Sequence, residues 1–186
     1  MDKENNIAFV DGQNLHLGTT KCVTCMNNLG IKIENFKKSA CVCGGAWKVD
    51  LKKFRIYLQD KYSVNEAYYF LGNLQEENEY LYKQIQKAGF IVEFKERKSS
   101  STSKKKGNVD SDIVFEIMRT YIEDNTIDNF ILVSGDGDYK KVVNFLLGKG
   151  KFKKILHPNE TFASSLYKKL GSEYYDYLEN LRSYIE

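Results

Sequence analysis

Five aspartates stand where apolar segments break. The apolar run of residues 7–10 stops at Asp11-Gly12, and the stronger run of residues 130–133 stops at Ser134-Gly135-Asp136-Gly137-Asp138. Asp110 and Asp112 open a third segment, with apolar residues at Ile113, Val114, Ile117, Met118 and Tyr121. Carboxylates that converge repel one another, and each is costly to desolvate without a cation among them. Hard, oxygen-preferring Mg²⁺ or Mn²⁺ is the natural occupant. Such an ion can activate water and neutralise charge on a phosphodiester under attack. Each acid also has a plain alternative. Asp110 can cap a helix, and Asp136-Gly137 is a common turn dipeptide. Asp110 and Asp112 lie two apart, so on a helix they face different ways; Asp110, at the helix mouth, is the favoured ligand, and Asp112 would orient ligands or solvent.

The four cysteines form a second cluster. Cys22-x-x-Cys25 is a good metal half-site, and Cys41-x-Cys43, followed by Gly44-Gly45, is a less usual second half. The 15 residues between the halves suit a small zinc knuckle. Four thiolates would close the coordination sphere, so a zinc here would be structural, and its release would leave catalysis largely intact. The alternatives are free thiols or a reversible disulfide.

Positioning the acids requires strands that end together. Asp50 can cap a helix with Leu51, Phe54, Tyr57 and Leu58 on one face. Residues 66–71 and 90–94 are strand-like, and residues 75–88 between them read as a helix stopped by Gly89. Residues 139–148 are helical, Ile155-Leu156 marks a last short strand, and one or two helices follow. Strand and helix alternate about five times, the signature of a parallel sheet covered on both faces. In such sheets ligands bind beyond the carboxyl ends of the strands. If the two acid-ended strands are neighbours, three or four carboxylates meet there. Glycines 12, 135 and 137 would let the backbone turn sharply and admit a phosphate. Tyr139 would either stack on a base or pack under the turn.

The chain has 186 residues, which suggests a single domain over 1–186. Residues 18–46 read as a Cys-rich insert after the first strand, and residues 97–108, rich in Ser, Thr and Lys, as a flexible basic loop. Lys104, Lys105 and Lys106 stand just before Asp110, where they could hold a phosphate backbone. A net charge of +3 permits a nucleic-acid partner without demanding one. No apolar run reaches the roughly 18 residues of a transmembrane helix, and the polar N-terminus does not resemble a signal peptide; a cytoplasmic location without membrane contact is expected. The Tyr-rich stretch of residues 174–185 would pack on its own sheet or on a second subunit of a homodimer.

Several competing motifs fail on single letters. A calcium loop starting at Asp136 would have Lys140 and Leu147 at its fifth and twelfth positions. A dinucleotide fingerprint starting at Gly135 meets Lys140 where glycine is needed. A haloacid-dehalogenase-like phosphatase would need a second Asp where Gln13 stands. There is no Walker-type phosphate loop, and no nucleophile elbow.

Three segments, Phe9-Val10-Asp11-Gly12-Gln13-Asn14-Leu15, Lys106-Gly107-Asn108-Val109-Asp110 and Val133-Ser134-Gly135-Asp136-Gly137-Asp138-Tyr139, resemble the NYN domain family of PIN-like nucleases. The resemblance runs from about residue 7 to 170, and the three motifs in this order are its specific part. It implies a three-layer Rossmann-like α/β fold and metal-dependent endonucleolytic cleavage of RNA. Asp11, Asp110, Asp136 and Asp138 would be the catalytic and Mg²⁺- or Mn²⁺-binding acids. Asn14 would hydrogen-bond near metal or substrate, and Ser134 would support the cluster. In-line attack by water would leave a 5′-phosphate and a 3′-hydroxyl. The family pattern often has apolar residues after Val-Asp; here Ser111-Asp112 follows. Residues 18–46 have no counterpart in the family core, so the resemblance says nothing of Cys22, Cys25, Cys41 and Cys43. The runner-up is a non-catalytic RNA- or protein-binding module on the same fold, and a third reading is a phosphatase or nucleotide hydrolase using the same metals.

Overall fold

The computed structural model describes residues 4–72, 74–95 and 109–186. Strand β1 (Asn6–Asp11) is buried at every position. Its end is also a helix start: the Asp11 carboxylate accepts the N–H of Asn14 at 2.9 Å and caps α1 (Gly12–Thr20). This helix runs through part of the segment expected to be an insert. After it come α2 (Val23–Leu29), then α3 (Leu51–Tyr62), where the Asp50 carboxylate accepts the N–H groups of Lys52 and Lys53. Strand β2 (Val64–Leu71), α4 (Glu79–Lys87) and β3 (Ile91–Phe94) follow. Beyond residue 108 come α5 (Val109–Glu123), β4 (Asn129–Val133), α6 (Lys140–Gly148), β5 (Phe152–His157), β6 (Tyr175–Tyr177) and the short α7 (Arg182–Ile185).

The six strands form one sheet in the order β3-β2-β1-β4-β5-β6, with every pairing parallel. The count is six, one more than expected. Tyr175–Tyr177 pairs with Ile155–His157 in a stretch expected to be helical, because Tyr and Phe suit a pleated, half-buried edge. Leu178 and Ile185 beyond it are fully buried in the chain's own core, so this stretch packs on its own sheet. The expected helix of residues 75–88 shrinks to α4 after a 3-10 turn. Within α4 only Ile85 is fully buried; Tyr80 is 75% exposed.

Alternation along β1 feeds two cores. Ala8 and Val10 join Phe54, Leu58, Tyr69 and Ile85 on one side; Ile7 and Phe9 join Ile113, Ile117, Val143 and Leu146 on the other. Burying one such large apolar side chain stabilises the fold by about 1.5–3 kcal/mol. A sheet covered by helices on both faces leaves its carboxyl edge as the place for chemistry. No helix among the described residues is long and apolar enough to cross a membrane.

Candidate metal centre at the carboxyl edge of the sheet

The strand order reverses between β1 and β4, so this crevice is the topological switch point where ligands bind in open α/β sheets. β1 ends at Asp11, and β4 is followed by Asp136 and Asp138. Asp110 reaches the same edge as the second residue of α5. It is therefore inside the helix and is not its cap, and its charge faces the favourable end of the helix dipole. Carboxylate oxygens of Asp110, Asp136 and Asp138 all lie within 4.8 Å of one another. Among the described residues no lysine or arginine forms an ion pair with any of them. Acids do gather at exposed turns without a cation. Here, however, three separate backbone positions deliver them to one point, above a buried polar layer.

That layer contains Asp11. It stands beside the trio and not in it. One oxygen is the cap acceptor for α1; the other meets the hydroxyls of Tyr139 at 3.1 Å and Ser134 at 3.4 Å. Tyr139 also donates to Asp110 at 2.7 Å, so a single phenolic proton serves two carboxylates. Burial first, and the nearby charges of Asp110 and Asp136 last, push the Asp11 carboxyl above its usual range, against lowering bonds from Asn14 and Tyr139. Burial, the Asp11 charge and the bond to Asp110 push the Tyr139 hydroxyl far above its usual range, so it remains a donor.

Ser134 is fully buried. Its hydroxyl points to Asp11 and accepts the Asp136 N–H at 3.1 Å. Asp136 in turn caps a 3-10 turn over Gly137–Tyr139, accepting the Asp138 N–H at 3.0 Å. Asn14 accepts the Gly135 N–H at 2.7 Å and so ties the start of α1 to the end of β4. Two residues missed from the sequence complete the support. His157 bonds the Ser134 carbonyl through Nδ1 at 2.9 Å, and burial lowers its pKa. Tyr167 donates to the Asp136 carbonyl at 2.6 Å. Neither carries a local signal, since both lie more than twenty residues from their partners.

One expectation changes, and one open alternative closes. Tyr139 is fully buried, so it packs under the turn and cannot stack on a base. Glycines 12, 135 and 137 do not take left-handed backbone angles. Their missing side chains admit neighbouring protein: a Cβ on Gly135 would lie 2.7 Å from the Phe162 carbonyl oxygen. Asp112 is exposed, whereas Asp110 belongs to the trio. Lys104, Lys105 and Lys106, with the whole basic segment 97–108, lie outside the described residues.

The cysteines form a second centre. Their sulfurs lie within 4.8 Å of one another, with contacts of 3.3 Å (Cys22 to Cys43), 3.4 Å (Cys25 to Cys43) and 3.8 Å (Cys41 to both Cys25 and Cys43). None is in a disulfide. The Ala46 N–H donates to the Cys41 sulfur, and a Cβ on Gly45 would lie 2.7 Å from the Cys22 sulfur. The Cys43 backbone N–H, then its thiol, bring the Cys25 thiol down to about 7. Despite the Gly45 N–H, the Cys22 and Cys25 sulfurs push Cys43 up to about 12. Crowded sulfurs oppose full ionisation, as they would wherever a cation is the natural counter-charge. Both centres can therefore hold a metal, one through oxygens and one through sulfurs.

A solved structure with this architecture is a protein of unknown function, VPA0982, from Vibrio parahaemolyticus. It is 18% identical, with a TM-score of 0.67, and the match covers 96% of this chain and 95% of that one. This likeness shows the fold. No curated protein matches significantly. The NYN domain model matches residues 7–177, which takes in all four acids and the cysteine segment. The chain belongs to the NYN domain family of PIN-like nucleases.

Proposed function

We propose that the chain is a Mg²⁺- or Mn²⁺-dependent endoribonuclease. The observation that carries this is the convergence of Asp110, Asp136 and Asp138 at the switch point of a NYN fold. Three carboxylates with no cationic side chain paired to them among the described residues suit a hard divalent ion, which keeps part of its water shell. When bound, such an ion supplies an activated water and offsets charge on the phosphodiester.

The chain's own residues do the rest. Asp110, Asp136 and Asp138 hold the ion, and Asp11 acts through Tyr139 to fix the Asp110 carboxylate. Ser134 and Asn14 set the turn that presents Asp136. Lys104, Lys105 and Lys106 engage the RNA backbone. Attack by water in line at phosphorus leaves a 5′-phosphate and a 3′-hydroxyl. The four cysteines are assigned a separate structural Zn²⁺: tetrahedral Zn–S bonds of about 2.3 Å place sulfurs roughly 3.8 Å apart, close to the spacings observed.

A circular RNA, which has no ends, separates the competing activities. Metal-dependent linearisation supports the endonuclease. Release of phosphate from mononucleotides without linearisation supports a phosphatase. Stable binding with the circle intact supports the binding module.

A further inference from the structure

The four-cysteine module reaches the acidic centre through a short loop as well as through helix α1 (Gly12–Thr20), which Asp11 caps. Cys22, Cys25, Met26, Phe36 and Ala46 form a small apolar core of their own, and Phe162 packs against it from outside. Phe162 belongs to residues 158–164, which follow β5. On the far side this loop lies directly on the turn that presents Asp136. The Ser164 N–H donates to the Gly135 carbonyl at 2.8 Å. The Phe162 carbonyl occupies the space a Gly135 side chain would need, and the Ser164 hydroxyl does the same at Gly137.

The loop has further anchors at its start, where the Glu160 N–H donates to the Glu179 carboxylate at 2.7 Å. The Asn159 side chain bonds the Gly18 carbonyl and accepts the Phe162 N–H at 2.8 Å, and Pro158 lies against Gly18. The apolar core beneath Phe162 is a handful of residues, two of them cysteines. A core that small rarely holds its shape without a staple. A metal bound by four thiolates contributes folding free energy directly.

We propose that Zn²⁺ in the cysteine module is a positioning device for the acidic centre. With zinc bound, the module gives Phe162 a fixed seat, the loop of residues 158–164 is held on Gly135 and Gly137, and Asp136 and Asp138 keep their spacing. Without zinc the seat softens, and the turn loses its outer wall. This revises the expectation that zinc release would leave catalysis largely intact. Phe162 is the positioning residue, since it is a candidate ligand at neither centre. The proposal rests on the divalent-metal reading of the acids only for its second readout below.

The test uses the intact chain in three forms: as purified under reducing conditions, after zinc is stripped with a chelator, and as Phe162→Ala. Metal analysis is expected to give one zinc per chain in the wild type and in Phe162→Ala. Hydrogen exchange is followed in peptides covering residues 134–139 and 158–166. Exchange should be about tenfold faster in both the stripped protein and Phe162→Ala, the scale of coupling carried by a contact network. Phe162→Leu, which keeps an apolar contact, should restore much of the protection. Mn²⁺ affinity, read by electron paramagnetic resonance, should fall by a similar factor in the first two and recover in the third. Purified protein without zinc overturns the proposal, as does zinc removal that leaves both peptides unchanged, or zinc-loaded Phe162→Ala that matches the wild type. If the wild type binds no Mn²⁺, the acidic-centre reading fails, and the exchange data still decide the positioning role.

Discussion

Removing the hydroxyl of Tyr139 isolates the layer beneath the acidic trio. Tyr139→Phe keeps the ring, which is fully buried, and deletes one oxygen. That oxygen donates to Asp110 at 2.7 Å and meets Asp11 at 3.1 Å. A hydrogen bond to a charged group contributes about 1.5–3 kcal/mol. Asp110 is half-buried and water can replace its missing donor, whereas Asp11 is only 5% exposed and the oxygen that met Tyr139 is left with Ser134 at 3.4 Å. The expected destabilisation is therefore near the middle of that range, about 2 kcal/mol. Loss of a partner that orients a metal ligand costs roughly ten- to hundredfold in metal affinity. Urea unfolding in the presence of EDTA reads the first number, and Mn²⁺ titration reads the second. A variant with wild-type stability and wild-type Mn²⁺ affinity would refute the idea that Tyr139 couples Asp11 to Asp110.

Asp11→Asn tests the electrostatic strain. Because the folded-state pKa of Asp11 is raised, the folded protein holds this proton more tightly than the unfolded chain does. Its contribution is favourable at low pH and is lost as pH rises through the folded value, beginning near the unfolded value of about 3.9. The metal-free Asn variant should thus gain stability relative to wild type with rising pH; a gap that stays flat through the acid range would count against it. Gly135→Ala drives a Cβ against the Phe162 carbonyl, and overpacking of this kind costs about 1–3 kcal/mol; an unchanged unfolding midpoint would show that the loop yields freely. Replacing Lys104, Lys105 and Lys106 with alanine should weaken RNA binding and flatten its salt dependence, the slope falling by about 0.7 for each single-strand phosphate that the lysines no longer neutralise. An unchanged slope would remove the basic segment from the substrate path.

Much of this arrangement was legible in local pattern. Apolar runs bounded by Asp and Gly located β1 and β4 and put Asp11 and Asp136 at their ends, because a buried parallel strand must be apolar throughout. The alternation of elements implied a parallel sheet, and the cysteine spacing announced a second centre. What stayed hidden depends on partners distant in sequence. Asp11 reads as an equal member of the acidic set until Tyr139, 128 residues away, is seen beneath it. The roles of His157, Tyr167 and Phe162 follow from packing across the switch point, which no periodicity encodes. Helix α1 was missed because glycine, polar and threonine residues dominate residues 12–20; the Asp11 cap and the close approach of Pro158 at Gly18 override that weak propensity.

Cleavage of labelled RNA by wild type and Asp136→Asn, at matched purity and with Mn²⁺ or Mg²⁺, addresses the central claim most directly. Asparagine keeps the oxygen that accepts the Asp138 N–H, so the turn survives while one negative charge leaves the trio. Wild type is expected to cleave in a metal-dependent way, and the variant is expected to lose that cleavage. Cleavage that persists undiminished in the variant would contradict it, and RNA bound by both proteins but cut by neither would replace the nuclease with a binding module.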